Sequence, residues 1–425
     1  SKKTTNLTEG MMGYDTNPQY SKEGVLAWLS MTHDGNESDK NDLYILKNGK
    51  RINLTAQWDN TIFSYRWSND GKQIYLIAPT QGTEQLFVVD VYSKNTNPRQ
   101  LTQGVFDVNS IVGQAGDQLV VIRTDMNHAA ELYTINLKEK KKEYLSLTQL
   151  SHFNDEQYKQ IAQCPIKERI IKTTDGKDMH AWVIYPPDFD PNKKYPTLLY
   201  CQGGPQSIVS QFYSFRWNFQ LMTSQGYIVI APNRRGLPGF GVEWNAQISG
   251  DWGGQPMRDY LSAIDDIAKE PYVDKDRLGA VGASYGGYSI YYLAGIHQKR
   301  FKTFIAHCGV FNLESMYGTT EELFFNNNEI GGAYWEERNA VAQKSYKEFN
   351  PIKKINNWDT PILIIHGGKD YRVPEEQGFQ AFTAAQLKGI RSELLYFPDE
   401  NHWVLQPQNG LLWQRTFFKW LKETL

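Results

Sequence analysis

Gly282-Ala283-Ser284-Tyr285-Gly286-Gly287 closes the apolar run Leu278 to Gly282 and opens a helical run, Tyr288 to Ile296. A serine between glycines at a strand-to-helix junction is a G-x-S-x-G elbow. The chain turns so sharply there that the neighbours must lack side chains, and the hydroxyl is left exposed at the sheet edge. The amide of Tyr285, at the helix start, then points to where an oxyanion would form. A glycine-rich turn with an incidental serine is the plain alternative, and the strand–turn–helix setting argues against it.

Working outward, short apolar runs bounded by Gly and Pro alternate with helix-length segments: Thr197 to Cys201, Tyr227 to Ala231, Leu278 to Gly282, Thr303 to His307, Ile362 to His366 and Glu393 to Phe397. Such runs suit parallel strands buried on both faces. Ahead of them, Asp175-Gly176 joins Glu168 to Thr173 and Met179 to Tyr185 as a hairpin would. At the end, Leu412, Phe417, Trp420 and Leu421 recur at helical spacing. Residues 158–425 read as an α/β domain, a mainly parallel sheet with helices on both faces.

A serine alcohol needs a base, and in this fold the order is Ser, acid, His. Four histidines follow Ser284. His297 sits in the helix after the elbow, and His307 and His366 lie in or at the end of strands, where packed histidines belong. His402, in the loop Asp399-Glu-Asn-His402 between the last strand and the last helix, is the expected base. Asp370, just after Ile362-Leu-Ile-Ile-His366-Gly-Gly-Lys, is the expected acid. Asp399 competes, but three residues from His402 it is better placed to order the loop. A second oxyanion donor is expected from Gly203 or Gly204, in the loop Cys201-Gln202-Gly203-Gly204-Pro205 after the first parallel strand. Asn233-Arg234-Arg235-Gly236 and Gly239-Phe240-Gly241 should shape the neighbouring rim; the arginines touch substrate there or form a solvated face.

The first part of the chain reads differently. Ser21-Lys-Glu-Gly24 recurs as Ser68-Asn-Asp-Gly71 and, more weakly, as Gln114-Ala-Gly116-Asp, a period of about 45–47 residues. Each turn precedes a β-type run (Val25 to Leu29, Ile74 to Ala78, Leu119 to Ile122). A second run follows (Leu43 to Leu46, Leu86 to Asp90, Leu132 to Asn136), and then Leu-Thr at Leu54, Leu101 and Leu147. Residues 1–157 therefore read as about three propeller blades rather than an ordinary antiparallel sandwich. Propellers close with about 4 to 8 blades, so N-terminal blades are expected to be missing. A homodimer in which two chains complete one ring is the alternative.

Composition sets the outer bounds. Forty-five basic against 47 acidic residues leave no surplus to displace counterions, so no nucleic-acid partner is expected. No apolar run approaches the ~20 residues of a membrane span, so no membrane insertion is expected. The three cysteines (Cys164, Cys201, Cys308) form no C-x-x-C, the histidines are scattered without H-E-x-x-H, and no dinucleotide or phosphate loop appears. Neither a metal site nor a cofactor is expected.

Taken together, Gln202-Gly-Gly-Pro205, Arg235-Gly236 with Gly239-Phe-Gly241, Gly250-Asp-Trp-Gly253, Gly282 to Gly287, His366-Gly-Gly-Lys-Asp370-Tyr-Arg-Val-Pro374 and Pro398-Asp-Glu-Asn-His402 resemble the prolyl oligopeptidase family of serine peptidases. The Gly-Gly-Pro loop and the Asp-Tyr-Arg-Val-Pro segment look most like its dipeptidyl-peptidase V and acylaminoacyl-peptidase branch. The resemblance implies an α/β-hydrolase domain preceded by part of a β-propeller, and short peptides as substrates. It further implies a hydrophobic pocket before the scissile bond, with Val310, Phe311, Leu313, Met316, Tyr317 and Val373 at the matching positions, core packing being the alternative for each. Arg372 matches the residue that holds the substrate's next carbonyl; a structural ion pair is its alternative. Gln202 stands where dipeptidyl-peptidase IV-like members carry an oxyanion tyrosine, which turns the expectation toward backbone donors. Bacterial members of the branch imply a periplasmic location, the cytoplasm being the alternative. Dipeptide release from short peptides is the expected reaction. Acylaminoacyl-peptidase, oligo-endopeptidase or carboxylesterase activity with the same triad comes second, and a scaffold with a vestigial triad third.

Overall fold

Three four-stranded antiparallel sheets follow one another in the first part of the computed structural model, which describes residues 4–139 and 143–425. The first contains β1 (Asp15–Tyr20), β2 (Leu26–Ser30), β3 (Asp42–Lys47) and β4 (Lys50–Asn53). The second contains β5 (Ser64–Trp67), β6 (Gln73–Thr80), β7 (Thr83–Asp90) and β8 (Arg99–Gln100). The third contains β9 (Asp107–Ala115), β10 (Gln118–Asp125), β11 (His128–Asn136) and β12 (Leu147–Gln149). Each is a meander in sequence order. The repeated turn is built the same way twice. Ser21 Oγ accepts from Val25 N at 3.0 Å and Ser68 Oγ from Gln73 N at 3.0 Å, with Gly24 and Gly71 at φ 81° and 66°, where a Cβ would be strained.

Strand alternation decides how these sheets pack. In the middle sheet Ile74, Leu76, Ala78, Phe87 and Val89 join the core shared with the first sheet. Their neighbours Tyr75, Ile77, Leu86 and Val88 join the core shared with the third. A period of two puts successive side chains on opposite faces, so a run apolar at every position is a strand buried on both. The sequence showed two strands per repeat; the outer strands were missed because their residues are more exposed and more polar.

The second part holds one eight-stranded sheet. Its strands are β13 (Ile166–Lys172), β14 (Asp178–Ile184), β15 (Tyr195–Cys201), β16 (Ile228–Pro232), β17 (Val273–Ala283), β18 (Thr303–His307), β19 (Ile362–Gly367) and β20 (Ser392–Phe397). They lie in the order β13-β14-β16-β15-β17-β18-β19-β20. β13 and β14 form the Asp175-Gly176 hairpin, β14 runs antiparallel to β16, and the remaining neighbours are all parallel. β16, β18 and β19 are buried throughout, and β15 and β17 are buried over Thr197–Cys201 and Leu278–Ala283, as expected for a sheet with helices on both faces. Parallel strands all end at one edge, so the loops after β15, β17, β18, β19 and β20 gather there, which is where α/β sheets hold their ligands.

The final helix, Pro407–Thr424, buries Trp413, Phe417, Trp420 and Leu421. Leu412, expected on that face, is 47% exposed, because Trp413 is the residue one helical turn before Phe417.

The chain divides into two compact units, the first comprising Ser1–Lys159, Ser210–Phe212 and Pro238–Ala246. The sequence-based boundary at residues 157 and 158 differs from this in leaving the two short segments with the second part. The segment 238–246 joins the first unit through specific bonds: Val242 N donates to Asp59 Oδ1 (2.8 Å) and Asn245 Nδ2 to Ser38 O (2.9 Å).

Candidate active site

Ser284 stands between β17 and the helix Tyr285–Ala294 with φ 60° and ψ −122°, a conformation non-glycine residues rarely adopt. Such strain, of order 1–3 kcal/mol, persists only where the surroundings over-determine it. Here they do. Ser284 N donates to His307 O at 3.0 Å. A Cβ on Gly282 or Gly286 would lie 2.7 Å and 2.1 Å from Cys201 O, and one on Gly287 2.5 Å from Gly309 Cα. The glycines are therefore needed for close approach to the neighbouring strand ends. The helix behind the serine is wholly buried, while Ser284 itself is half-buried.

His402 and Asp370 meet across the loops after β20 and β19. His402 Nδ1 and Asp370 Oδ2 are 2.7 Å apart and both residues are buried. Asp370 Oδ1 accepts from the amides of Arg372 (3.1 Å) and Val373 (2.9 Å), which sets the carboxylate plane. Gly367 lets the base loop close on the acid strand: a Cβ there would meet Asn401 O at 2.4 Å. Arg216 Nη1 donates to His402 O at 3.1 Å. Burial disfavours a charge on the His402 ring, but the Cys308 sulfur and the Asp370 carboxylate outweigh it and raise the pKa above its ordinary value. On the far side of the ring, Nε2 has the Cys308 sulfur at 3.9 Å.

The competing residues are held by other partners, although His366 Nε2 lies 3.8 Å from Asp370 Oδ2. Asp399 pairs with Lys369 at 2.9 Å and its side chain is 73% exposed. Ordering of the base loop, expected from Asp399, falls instead to the buried Glu400, which accepts from the amides of Leu405 (2.9 Å) and Gln406 (3.1 Å). His297, His307 and His366 are buried with their pKa values lowered by burial. His307 accepts from the Trp413 indole, and His366 bonds Val373 O at 2.8 Å.

Gly203 lies against the elbow, where a Cβ would be 2.9 Å from Ala283 O and 3.4 Å from Ser284 Cβ. Gly204 has φ 118°. The Gln202 side chain turns into its own loop, bonding Tyr200 Oη (2.7 Å) and Ser207 Oγ (3.2 Å). Tyr285 N opens its helix and, as a first-turn amide, has no intrahelical acceptor.

The paired arginines are neither a rim nor a solvated face. Arg234 is fully buried and donates to Pro205 O (3.0 Å) and Gln202 O (3.2 Å), with its guanidinium 4.5 Å over the Tyr285 ring. It thereby ties the Gly203 loop to the helix of the elbow. Arg235 pairs with Asp175 (2.7 Å) and Asp259 (3.3 Å). Glu329, also buried, accepts from Gln206 (2.8 Å), Ser249 (2.8 Å) and the Trp252 indole (3.1 Å), and Trp252 packs edge-on against Tyr285. Nothing in the sequence distinguished Arg216, Glu329 or Glu400 from surface charges, and Arg234 was read there as a rim or solvated residue.

Val310, Phe311, Leu313, Met316, Tyr317 and Val373 are all buried. Phe311 has the Tyr291 and Trp358 rings against it, and core packing accounts for it. Tyr317 donates to Asn327 Oδ1 (2.7 Å) and meets Trp335 edge-on. Arg372 pairs with Glu322 at 2.7 Å and lies over the Trp403 ring.

The chain is similar to known proteins in sequence and in fold. A model of the "Prolyl oligopeptidase family" matches residues 213–425. The chain belongs to the prolyl oligopeptidase family. A model of the dipeptidyl peptidase IV N-terminal region matches residues 28–178. Family relatives include a dipeptidyl-peptidase 5 of Porphyromonas gingivalis, 51% identical over 428 residues, which covers 100% of this chain and 61% of the relative. Another, from Schizosaccharomyces pombe, is 33% identical over 418 residues, covering 96% and 59%. The chain thus spans about three-fifths of the length of these relatives. In fold it is similar to the acylaminoacyl peptidase of Pyrococcus horikoshii, with a TM-score of 0.83 at 21% identity, covering 94% of this chain and 62% of that one. The α/β-hydrolase domain of this family is the second part of the chain.

Proposed function

We propose that this chain serves a serine peptidase that releases dipeptides from short peptides, with a hydrophobic or small residue before the scissile bond. The observation that carries the reading is the buried 2.7 Å bond between Asp370 and His402 in loops that gather, with the elbow of Ser284, at one edge of the sheet. The names of the dipeptidyl-peptidase 5 relatives support the dipeptidyl mode.

In this mechanism Ser284 Oγ attacks the peptide carbonyl while His402 Nε2 takes its proton. Asp370 holds the ring in the tautomer protonated on Nδ1 and stabilises the imidazolium. The amides of Tyr285 and of Gly203 or Gly204 receive the oxyanion. His402 then protonates the leaving amine, and water, deprotonated by the same ring, releases the acyl group. Val310, Leu313, Met316, Tyr317 and Val373 are the proposed pocket walls. Arg372 keeps donors beyond those used by Glu322 and is proposed for the substrate's next carbonyl. No step requires a cofactor.

The three meander sheets are proposed as consecutive blades of a β-propeller. The near-constant spacing of β2, β6 and β10, which begin at Leu26, Gln73 and Gln118, supports this, as does the match of residues 28–178.

The test is one hydrophobic dipeptidyl chromophore, presented with a free amine and again N-acetylated, to the protein and to Ser284→Ala. Cleavage of the free-amine form alone, lost in Ser284→Ala with the fold intact, is expected. Faster cleavage of the capped form would replace the dipeptidyl reading with an acylaminoacyl or endopeptidase one. Full activity in Ser284→Ala would sink the serine assignment.

A further inference from the structure

Cys308 takes part in none of these steps, yet its sulfur lies 3.9 Å from Nε2 of His402, the nitrogen that must receive the serine proton. The thiol is fully buried, and its second neighbour is His402 O at 3.5 Å. Its backbone is fixed. Cys308 follows β18 with φ 41°, its amide donates to Ile365 O at 2.8 Å, and the next residue, Gly309, packs directly on the Gly287 backbone. Cys308, His402 and Asp370 offer ligand atoms that all lie within 4.8 Å of one another. Because 94 positions separate Cys308 from His402, no spacing motif betrays the pair.

We propose that Zn²⁺, or another thiophilic divalent cation, binds between Cys308 Sγ and His402 Nε2 and switches the triad off. The inference rests on the reading of His402 as general base. The geometry is close to what zinc requires. Zn–S near 2.3 Å and Zn–N near 2.0–2.1 Å at a tetrahedral angle put sulfur and nitrogen about 3.5 Å apart, so the observed 3.9 Å needs only ~0.4 Å of closure. Asp370 is not a ligand in this arrangement. It holds Nδ1, as carboxylates do behind zinc-bound histidines, and so aims Nε2 at the ion. Water completes the coordination. On binding, the Cys308 thiol proton passes to solvent and the thiolate carries the charge that faces the cation. With Nε2 occupied, no base remains for Ser284. A thiolate–imidazole pair selects zinc and cadmium over magnesium and calcium.

The test titrates CdCl₂ and ZnCl₂ into the intact, chelator-washed protein and into Ser284→Ala, Cys308→Ala and Cys308→Ser, with MgCl₂ alongside. The expected result is a Cd–thiolate ultraviolet absorption in the wild type and in Ser284→Ala, absent from both Cys308 variants. Half-inhibition, scored against each variant's own metal-free rate, should need about 10- to 100-fold more metal in the Cys308 variants, at least the effect of losing an outer-shell partner. A thiolate band that persists in those variants would place the metal on Cys164 or Cys201 and overturn the proposal, as would equal zinc inhibition of all forms. A Cys308-dependent band in a protein with no peptidase activity would support the cation site and overturn the reading of His402 as base instead.

Discussion

Gly203→Ala tests whether the loop after β15 and the serine turn are held against each other as closely as the backbone implies. The new methyl carbon would start 2.9 Å from Ala283 O and 3.4 Å from Ser284 Cβ. Ala283 ends a central strand and is laddered to His307, so the loop is the part that yields. Restoring an ordinary 3.4 Å contact with the carbonyl moves residue 203 by about 0.5 Å, the difference between the two distances. Misplacement by 1 Å costs about 10²-fold, or ~2.7 kcal/mol, so half that displacement corresponds to ~1.4 kcal/mol and about a tenfold loss. If the amide is lost altogether as an oxyanion donor, the ceiling is about 10²–10³-fold. The loss should fall on kcat and kcat/KM together, since the oxyanion exists only in the transition state. Overpacking should lower stability by no more than ~1–3 kcal/mol. The assay is steady-state hydrolysis of the free-amine dipeptidyl chromophore, paired with a urea melt. Wild-type kcat at unchanged stability would refute the close approach and, with it, the placement of the oxyanion donor.

Asp370→Asn should lower kcat about 10⁴-fold by releasing the wrong imidazole tautomer. Because the His402 pKa is raised and the base must be unprotonated, wild-type kcat/KM should climb with pH through a limb above 6.5, and the residual activity of the variant should climb at lower pH. A pH–rate profile with the limb unmoved would contradict the pairing. Glu329→Ala strands the buried Trp252 indole donor, while Gln206 and the exposed Ser249 can turn to water, and should cost about 1–3 kcal/mol, read as a lower urea midpoint. Gly410→Ala, inside the last helix with nothing within 4 Å of the added methyl, should raise stability by about 0.5–1 kcal/mol and leave the rate alone. A fall in melting temperature there would count against the helix packing.

The elements nearest the chemistry were legible in the chain itself. The elbow announces itself because only glycine tolerates the approach of Cys201 O and Gly309 to that turn, and the inner strands because apolar residues buried on both faces leave no polar positions. Asp370 and His402 followed from strand order and from loops rich in glycine and acids, since the order of strands dictates which loops can meet. The repeat of about 45–47 residues was visible because the first two meanders reuse one turn and all three an alternating strand pair. The surrounding groups were not legible. Glu329 looks in sequence like a surface charge, and Arg234 like a residue of the rim or of a solvated face; they are buried because the folded chain supplies carbonyls, indoles and amides that replace their hydration. The burial of Trp413 rather than Leu412 depended on which residue falls beneath Phe417 once the helix lies on the sheet. The placement of Cys308 beside His402 depended on two loops 94 positions apart ending at one sheet edge. A sequence determines what each residue can do over a turn or a strand, because backbone geometry acts over a few residues. Which charges are desolvated, and which side chains meet, is decided only when the sheet closes and brings distant loops within a hydrogen bond of one another.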